Sequence, residues 1–347
     1  ATWVMQGWMF HHKAEFWQPT QIKSFLDGVP DDNILVLDLF SENKPVWSRT
    51  EAFYGKPWIW NMLHNFGGNI SLYGRMPSVA NGPAEALNSD GSGRLSGIGL
   101  TMEGLEQNPV MYSLMLENTW SNKPINVEQW LKGYVTRRYG AENDHLDKAW
   151  KILKSTVYDG SLINGGPESI ITGRPTFNKT TTATRANIFY NPVDLLPAWE
   201  HFVKAIPEIE RGDGFEYDLV DVTRQVMANY AQVLQQNYAA SVKAKQMDKA
   251  SQYSKQFITL IDDLDEVLAI RKEFLLGVWL ENAKALGTNL EERNLYEKNA
   301  RMIITLWGDE HGLYDYSNRQ WAGLMKNFYK RRWENFFQFV EDSHKKG

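Results

Sequence analysis

The stretch GIGLTMEGLEQNPVMYSLMLE, residues 97–117, reads as one strand-to-helix unit. It begins with a short apolar run at 97–102, which has the length of a buried strand, and it ends with a segment at 110–117 that is able to form a helix. A single acidic residue, Glu103, stands at the junction between the two. The chain thus places a carboxylate directly after a predicted strand, and the rest of the sequence decides what kind of sheet contains that strand.

Three more apolar segments of the same kind precede this unit, at residues 3–8, 34–40 and 58–63. Predicted helices at 20–26, 83–87 and 110–117 follow three of the four strands, whereas WSRTEAF, residues 47–53, is too short to assign. Short strands that alternate with helices are typical of parallel βα units rather than of a meander. Four such units are half of a (β/α)8 barrel.

Half a barrel would leave strand edges and one apolar face unpaired. Two alternatives follow: either the other strands belong to a separate or missing polypeptide, or the sheet is small and open. The abrupt start at TWVMQGWMF, which looks like a buried strand, favours a missing N-terminal portion. We therefore predict the C-terminal half of a (β/α)8 barrel at residues 1–123.

From Pro124 onward the apolar residues recur with the period of a helix. Helices are predicted at 127–138 and 145–157, and a capping box at Asp213 and Glu216 predicts the start of a long helical segment. Further stretches with the period of a helix run over 249–285, 290–306 and 317–340. The fold class is thus α/β plus all-α, with a helical domain at 124–347. The connection at 159–192 is far longer than an ordinary loop, which indicates either a functional loop or a plain surface crossing.

Composition excludes several classes of function. The 347-residue chain has no cysteine, so disulfides, thiolate catalysis and cysteine-ligated metals are excluded. Its net charge of -5, from 37 basic and 42 acidic residues, gives no basic stripe for nucleic acid. No apolar run approaches the roughly 20 residues that span a bilayer. The 14 Trp, 15 Tyr and 16 Phe favour carbohydrate binding, although core packing is the commoner role of a single tryptophan.

The carboxyl ends of parallel barrel strands converge on one rim, where barrel enzymes have their active sites. Polar and aromatic residues stand at or just after the predicted strand ends. They are Gln6, Trp8, Asp38, Asn61, His64, Asn65 and Glu103.

This set suits glycoside hydrolysis, which needs carboxylates beside an anomeric carbon, hydrogen-bonding groups for the hydroxyls and an aromatic platform. The sequence contains no glycine-rich phosphate loop, no GxSxG elbow and no HExxH motif. His11 and His12 are adjacent, and neighbours in a strand point to opposite faces, so they make a poor metal pair. We expect no metal and no cofactor.

Each candidate also has a structural alternative. Glu103 could cap the helix that follows it, and Asp38 could tie neighbouring loops together. His64 could be a hydrogen-bonded structural histidine instead of a substrate ligand. A non-catalytic carbohydrate-binding or interaction module, and a glycosidase for another α-linked hexosamine, remain alternative functions.

Seven segments distributed over nearly the whole chain resemble the α-N-acetylglucosaminidase family of glycoside hydrolases. They are WVMQGWMF, LVLDLFSE, WNMLHNFGGN, GLTMEGLEQNPVMYSLMLE, RRYG, FLLGVWLENAK and LWGDEHGLYDYSNRQWAGLMKNFYKRRW. The resemblance implies a small N-terminal domain, a (β/α)8 catalytic barrel, and an all-helical C-terminal domain that helps to wall the active site. This chain resembles the second half of that barrel and the helical domain.

The resemblance also implies chemistry: the removal of terminal α-linked N-acetylglucosamine from glycans, with retention of configuration, by two glutamates. Glu103 matches the nucleophile, whereas the acid/base glutamate lies upstream of this chain, in the N-terminal portion. Sugar-contacting positions of the family correspond to Trp8 and Leu39 in the barrel and to Trp307, Leu313 and Tyr316 in the helical domain, although Leu313 stands where relatives can have a different aliphatic residue.

The family's members are lysosomal, secreted or periplasmic, so we expect one of these locations. Two glycosylation sequons, at Asn69 and Asn178, permit a eukaryotic secretory route. The absence of cysteine and the abundance of Lys and Asn fit a bacterial member somewhat better.

Overall fold

The computed structural model describes residues 1–160, 166, 168–178, 187–307 and 315–346. The chain divides into two compact units. The barrel unit comprises the described residues of 1–66, 73–134 and 157–165, and the helical unit comprises those of 67–72, 135–156 and 166–347. The units interleave along the chain, and the predicted domain boundary after residue 123 stays a prediction.

A four-stranded parallel sheet forms the centre of the barrel unit, with the order β1-β2-β3-β4. The strands are β1 (Trp3–Gln6), β2 (Ile34–Leu39), β3 (Pro57–Met62) and β4 (Arg94–Leu100). All three pairings are parallel, which confirms the predicted succession of βα units.

Large apolar side chains explain why the two central strands are buried. Trp58 and Trp60 alternate along β3 and are buried, as are Ile34 and Val36 on β2. Trp60 packs against Gly82 of helix α4 (Met76–Leu87), where an added Cβ would lie 2.7 Å from the indole. The outer strands are less covered, since Trp3 is 48% and Val4 56% exposed on β1. Within the described residues, β1 and β4 each pair on one side only.

Helices connect the strands of the barrel unit. WSRTEAF, the segment too short to assign, contains a 3-10 turn at Trp47–Arg49 and the first three residues of a short left-handed turn, α3 (Glu51–Tyr54), whose four residues all have positive φ. The helices are α1 (Trp8–His12), α2 (Pro19–Leu26), α3 (Glu51–Tyr54), α4 (Met76–Leu87) and α5 (Pro109–Glu117), and α6 (Val127–Tyr139) crosses the division between the units.

The helical unit has a core of aromatic and aliphatic side chains, including Phe257, Ile261, Trp333 and Phe337. A long helix, α9, has its apolar positions at helical spacing and pairs with α10. The helices are α7 (Asp144–Ser155), α8 (Leu196–Ala205), α9 (Asp213–Lys243), α10 (Met247–Leu268), α11 (Leu276–Ala285), α12 (Leu290–Ile303) and α13 (Lys330–Lys345).

The predicted capping box was wrong: Gly212 is the N-cap of α9, and Asp213 instead accepts a hydrogen bond from Arg271 Nη2 at 2.6 Å. The periodic stretch 249–285 is divided by a short 3-10 turn at Lys272–Phe274, and regular helical structure in the stretch 317–340 begins with a π-turn at Met325–Tyr329. Tertiary ion pairing and turns thus interrupt an otherwise continuous apolar period.

The long connection between α7 and α8 contains no helix or strand at its described residues 166, 168–178 and 187–191. The rest of that predicted loop, 161–165, 167 and 179–186, lies outside the described residues. No helix in the described part of the chain is both long and apolar enough to cross a membrane.

Candidate active site

The ends of the four strands place the predicted site residues of the barrel unit on one edge of the sheet. Because the strands are parallel and adjacent, their carboxyl ends share that edge. Trp8 follows β1, Leu39 ends β2, His64 follows β3, and Glu103 follows β4. The parallel pairing of adjacent strands therefore places these four positions at the same edge of the sheet.

Glu103 lies in an exposed bend between β4 and α5. Just before it, the Thr101 backbone N–H donates to the Met62 carbonyl at 3.0 Å, and Asn61 Nδ2 donates to Thr101 Oγ1. Asn108 is the N-cap of α5, and the first turn of that helix has no acidic residue. The structural alternative, in which Glu103 caps the helix, is therefore wrong.

The bend that carries Glu103 is held by polar side chains converging on one atom, the carbonyl oxygen of Gly104. Gln107 Nε2 donates to it at 2.8 Å, Asn65 Nδ2 at 3.2 Å, and the Tyr112 hydroxyl at 3.2 Å. Tyr112 in turn accepts from Gln107 Nε2 at 2.6 Å and from Asn65 Nδ2 at 3.2 Å. The residue next to Glu103 is thus fixed although Glu103 itself is exposed.

Asn108 fixes the other end of this bend. It has the left-handed conformation, with φ 48°, which asparagine adopts more readily than most residues. Its Oδ1 accepts from the Tyr73 backbone N–H at 3.0 Å, and Pro109 then begins α5 with a suitable φ. The sequence QNP therefore ends the bend and starts the helix.

His64 is buried, with only 2% of its surface exposed. Its Nε2 lies 3.0 Å from Gln107 Oε1, and burial lowers the pKa of the imidazole to about 4. The ring is therefore neutral near pH 7. A role in substrate binding stays a prediction, whereas the described contact ties His64 to the bend that carries Glu103.

Trp8 and Leu39 lie in a small apolar cluster with Phe40, Leu63 and Phe66. The Trp8 ring is partly exposed and stacks with His12 at a centroid distance of 5.9 Å. An indole that is anchored by aromatic neighbours and open on one side suits the apolar face of a sugar. Leu39 itself is buried.

Asp38 is completely buried, and its carboxylate accepts hydrogen bonds from the Val46 and Trp47 backbone N–H groups at 3.0–3.1 Å. Burial raises its pKa to about 7, against the opposing effect of these hydrogen bonds. These hydrogen bonds of the Asp38 carboxyl group thus tie together the single loop after β2, whereas the structural alternative predicts a tie between neighbouring loops. Sequence reasoning missed a second buried acid of this loop, Glu42, because nothing in the pattern FSEN distinguishes it from a surface glutamate.

In the helical unit, two of the predicted sugar-contacting residues pair with each other. The rings of Trp307 and Tyr316 meet edge to face, with centroids 4.9 Å apart. Asp315, next to Tyr316, is buried and bonds to Arg174 Nε and Arg332 Nη2, each at 2.8 Å. A third predicted residue, Leu313, lies outside the described residues.

Glycine is required where the Tyr316 segment packs against residue 67. A Cβ on Gly67 would lie 2.4 Å from the Tyr316 carbonyl oxygen, and Gly67 has φ 64°. The Gly67 carbonyl accepts from Ser317 Oγ and Arg319 Nη1, at 2.5 Å and 2.6 Å. The first glycine of HNFGGN, Gly67, thus has a packing role within the helical unit.

These features define an architectural class: a segment of a parallel (β/α)8 barrel with polar and aromatic strand ends, joined to an all-α domain. The tim-barrel domain model of alpha-N-acetylglucosaminidase matches residues 1–122, and the C-terminal domain model of the same enzyme matches residues 130–347. The chain belongs to the alpha-N-acetylglucosaminidase family.

Individual relatives agree with this assignment. The human protein named Alpha-N-acetylglucosaminidase is 38% identical over the whole chain, which spans 46% of that protein's length. A family 89 glycoside hydrolase from Clostridium perfringens, solved in complex with PUGNAc, is 35% identical with a TM-score of 0.90, over 98% of this chain and 38% of the other. A variant of the Clostridium enzyme with two glutamates changed to glutamine, solved with its substrate GlcNAc-alpha-1,4-galactose, is 34% identical with a TM-score of 0.90, over 99% of this chain and 39% of the other.

Proposed function

We propose that the protein containing this chain is a retaining exo-glycosidase that removes terminal α-linked N-acetylglucosamine from glycans, with Glu103 as the nucleophile. The observation that carries the proposal is an exposed carboxylate at the end of β4, on a bend whose next residue is fixed by Asn65, Gln107 and Tyr112. A nucleophile must be both accessible to the substrate and held in position.

The relatives support the substrate class. The human relative is named for hydrolysis of α-linked N-acetylglucosamine, and the Clostridium relative was solved with a disaccharide that carries this sugar. That complex uses a variant with two glutamates replaced, in keeping with a two-carboxylate mechanism.

The second carboxylate is proposed to come from an N-terminal portion of the same protein. In a retaining mechanism the two carboxyl groups lie about 5–5.5 Å apart, one as nucleophile and one as general acid and then base. Glu103 would attack the anomeric carbon while the partner protonates the leaving oxygen. The N-terminal portion is thus the partner that completes the active site.

Five residues are proposed to contact the sugar. The partly exposed indoles can face the ring or its acetamido methyl, and the tyrosine hydroxyl can bond to a sugar hydroxyl. The five are Trp8, Leu39, Trp307, Leu313 and Tyr316. His64, which the sequence also offers as a substrate ligand, is 2% exposed with its Nε2 3.0 Å from Gln107 Oε1, and it is left out of the proposed sugar contacts.

A secreted, periplasmic or lysosomal location is part of the proposal, because the family resemblance implies it. Of the two sequons, Asn178 is exposed whereas Asn69 is buried. If the protein passes through a eukaryotic secretory route, glycosylation is therefore expected at Asn178 and not at Asn69 in the folded state.

The test is a matched pair of glutamine variants in the longest natural form of the protein that contains this chain. Glu103 and Glu106 are both exposed on the same bend. We expect Glu103→Gln to lower kcat on an aryl α-N-acetylglucosaminide by at least about 10³-fold, because no glycosyl-enzyme can form. Glu106→Gln is expected to keep kcat within about 2-fold of the wild type, because it is a surface change that touches no reacting atom.

Product stereochemistry completes the test. NMR should show the α-anomer of N-acetylglucosamine as the first product of the wild type. Glu103→Ala with azide should give the β-glycosyl azide, because azide enters on the face that the carboxylate leaves open. Equal loss in the two glutamine variants would contradict the assignment of Glu103. Sugar binding that is unaffected by Glu103→Gln, without hydrolysis by any form, would indicate a non-catalytic binding module.

A further inference from the structure

The turn that follows β3 has a backbone conformation that needs support. His64 has φ 67°, in the left-handed region that residues with a Cβ rarely occupy. The Glu42 carboxylate supplies that support: its Oε1 accepts from the His64 backbone N–H at 2.7 Å and from the Leu63 backbone N–H at 3.1 Å. Glu42 is almost completely buried. A buried carboxyl group therefore fixes the turn from which the His64 side chain projects.

A second buried ionisable group, Arg75, interacts electrostatically with Glu42. The Arg75 guanidinium lies over the rings of Phe40 and Tyr73, at 5.0 Å and 5.3 Å from their centroids. Its three side-chain nitrogens are buried and have no hydrogen-bond partner among the described residues. Burial raises the pKa of Glu42, and the positive charge of Arg75 opposes that rise. Each group thus opposes the effect of burial on the pKa of the other.

The His64 side chain connects this turn with the bend after β4. Gln107 Oε1 accepts from Asn108 Nδ2 at 3.1 Å and lies 3.0 Å from His64 Nε2. A carbonyl oxygen only accepts, so the neutral imidazole must carry its proton on Nε2 and donate it to Gln107. The other end of the Gln107 amide donates to the Gly104 carbonyl, directly after Glu103. An unbroken chain of hydrogen bonds thus runs from Glu42 through His64 and Gln107 to the residue beside Glu103.

We propose that Glu42 and His64 are positioning residues for Glu103: they hold the Gln107 amide in the one orientation that fixes the bend of the nucleophile. This inference rests on the proposed function of Glu103. It predicts that the donor atom of His64, rather than the volume of its ring, matters for the rate. A displacement of about 1 Å at a reacting group costs up to about 10²-fold in rate.

The test compares two substitutions of His64 in the longest natural form of the protein. In His64→Gln the amide Nε2 replaces the imidazole Nε2 as donor, whereas His64→Met fills similar space without a donor. We expect His64→Met to lower kcat by about 10- to 100-fold with KM within about 2-fold, since the substrate contacts remain. His64→Gln should stay within about 3-fold of the wild type in both constants. If the role of His64 were purely structural, both substitutions would lower the melting temperature and the fraction of active enzyme. They would then show neither the separate effect on kcat nor the recovery of activity in His64→Gln.

Crystal structures of the two variants make the test independent of catalysis. The bend at 103–105 should be displaced by about 1 Å or lose order in His64→Met, and should be unchanged in His64→Gln. If His64→Met does not fold, His64→Asn replaces it, because asparagine suits the left-handed backbone but is too short to reach Gln107. An unmoved bend in the variants without a donor overturns the inference. An inactive wild type whose bend still moves as expected overturns the proposed function alone.

Discussion

One buried acid of the helical unit, Glu168, links its protonation to the stability of the fold. Glu168 in the helical unit is 7% exposed. Burial raises its pKa to about 8, whereas a hydrogen bond from Asn318 and the charge of Arg319 act in the opposite direction. The folded protein therefore binds the Glu168 proton more tightly than the unfolded chain does. The stability linked to that proton is complete below about pH 4.5 and is lost as the pH rises through about 8.

The substitution Glu168→Gln tests this linkage. An uncharged isostere should match the wild type in free energy of unfolding at pH 5 and exceed it by about 1–3 kcal/mol at pH 8, because only the wild type must bury a carboxylate or hold a proton there. Urea unfolding at the two pH values measures the difference. The exposed Glu291→Gln is the control and should show no such trend. A Glu168→Gln effect of equal size at both pH values would rule the linkage out.

Single residues of the candidate site differ in how far the sequence predicts their surroundings. The place of Glu103 at a strand end is predictable because it follows a clear apolar strand in a parallel unit. The contacts of Gln107, Tyr112 and Glu42 are not, because they involve backbone atoms that only the folded chain brings within reach. Asp38 was a candidate for chemistry by position, and only its buried contacts with Val46 and Trp47 show its tying role.

Two helical glycines illustrate how packing decides the effect of one methyl group. Gly82 on α4 faces the buried Trp60 indole, whereas Gly277 on α11 has no atom within 4 Å of an added Cβ. The helix propensity of alanine favours both substitutions by less than about 1 kcal/mol. Packing opposes only one of them.

We therefore expect opposite signs for the two alanine variants. Gly82→Ala should lower the free energy of unfolding by about 1–3 kcal/mol through overpacking against Trp60. Gly277→Ala should raise it by up to about 1 kcal/mol, since the added methyl reduces the freedom of the unfolded chain without a clash. Chemical denaturation measures both, and two changes of the same sign would contradict the packing argument.

Elements are predicted well where one physical signal dominates. The four strands appear as apolar runs because the sheet buries them, and the bounds agree to within a few residues. The predicted helix at 83–87 is in fact α4 (Met76–Leu87), since its first turns contain Pro, Ser and Gly that weaken the periodic signal. The periodic stretch 249–285 forms two helices, α10 and α11, because a turn around Arg271 separates them. That turn depends on ion pairs of Arg271 with Asp213, Glu216 and Glu273.

At the scale of the whole molecule, the chain spans less than half the length of the human and Clostridium relatives described above. If the general acid lies in an N-terminal portion, the 347-residue chain alone should hydrolyse an unactivated glycoside at least about 10²- to 10⁴-fold more slowly than the form that includes this portion. Intact mass, denaturing electrophoresis and hydrolysis assays on one sample measure this. Full turnover by a sample with a single 40.0 kDa species would show that the general acid is within this chain.

The sequence by itself determined the order of the elements, the parallel βα units, the helical domain and the position of Glu103, because each depends on local periodicity or on residues next to one another in the chain. The seven segments that resemble the family could also be recognised from the sequence, because each consists of residues next to one another in the chain. Tertiary structure alone decided that Asp38 and Glu42 are buried, that His64 contacts Gln107, and that three donors converge on Gly104. These contacts join residues that are far apart in sequence, and a hydrogen bond forms only where folding brings donor and acceptor within about 3 Å.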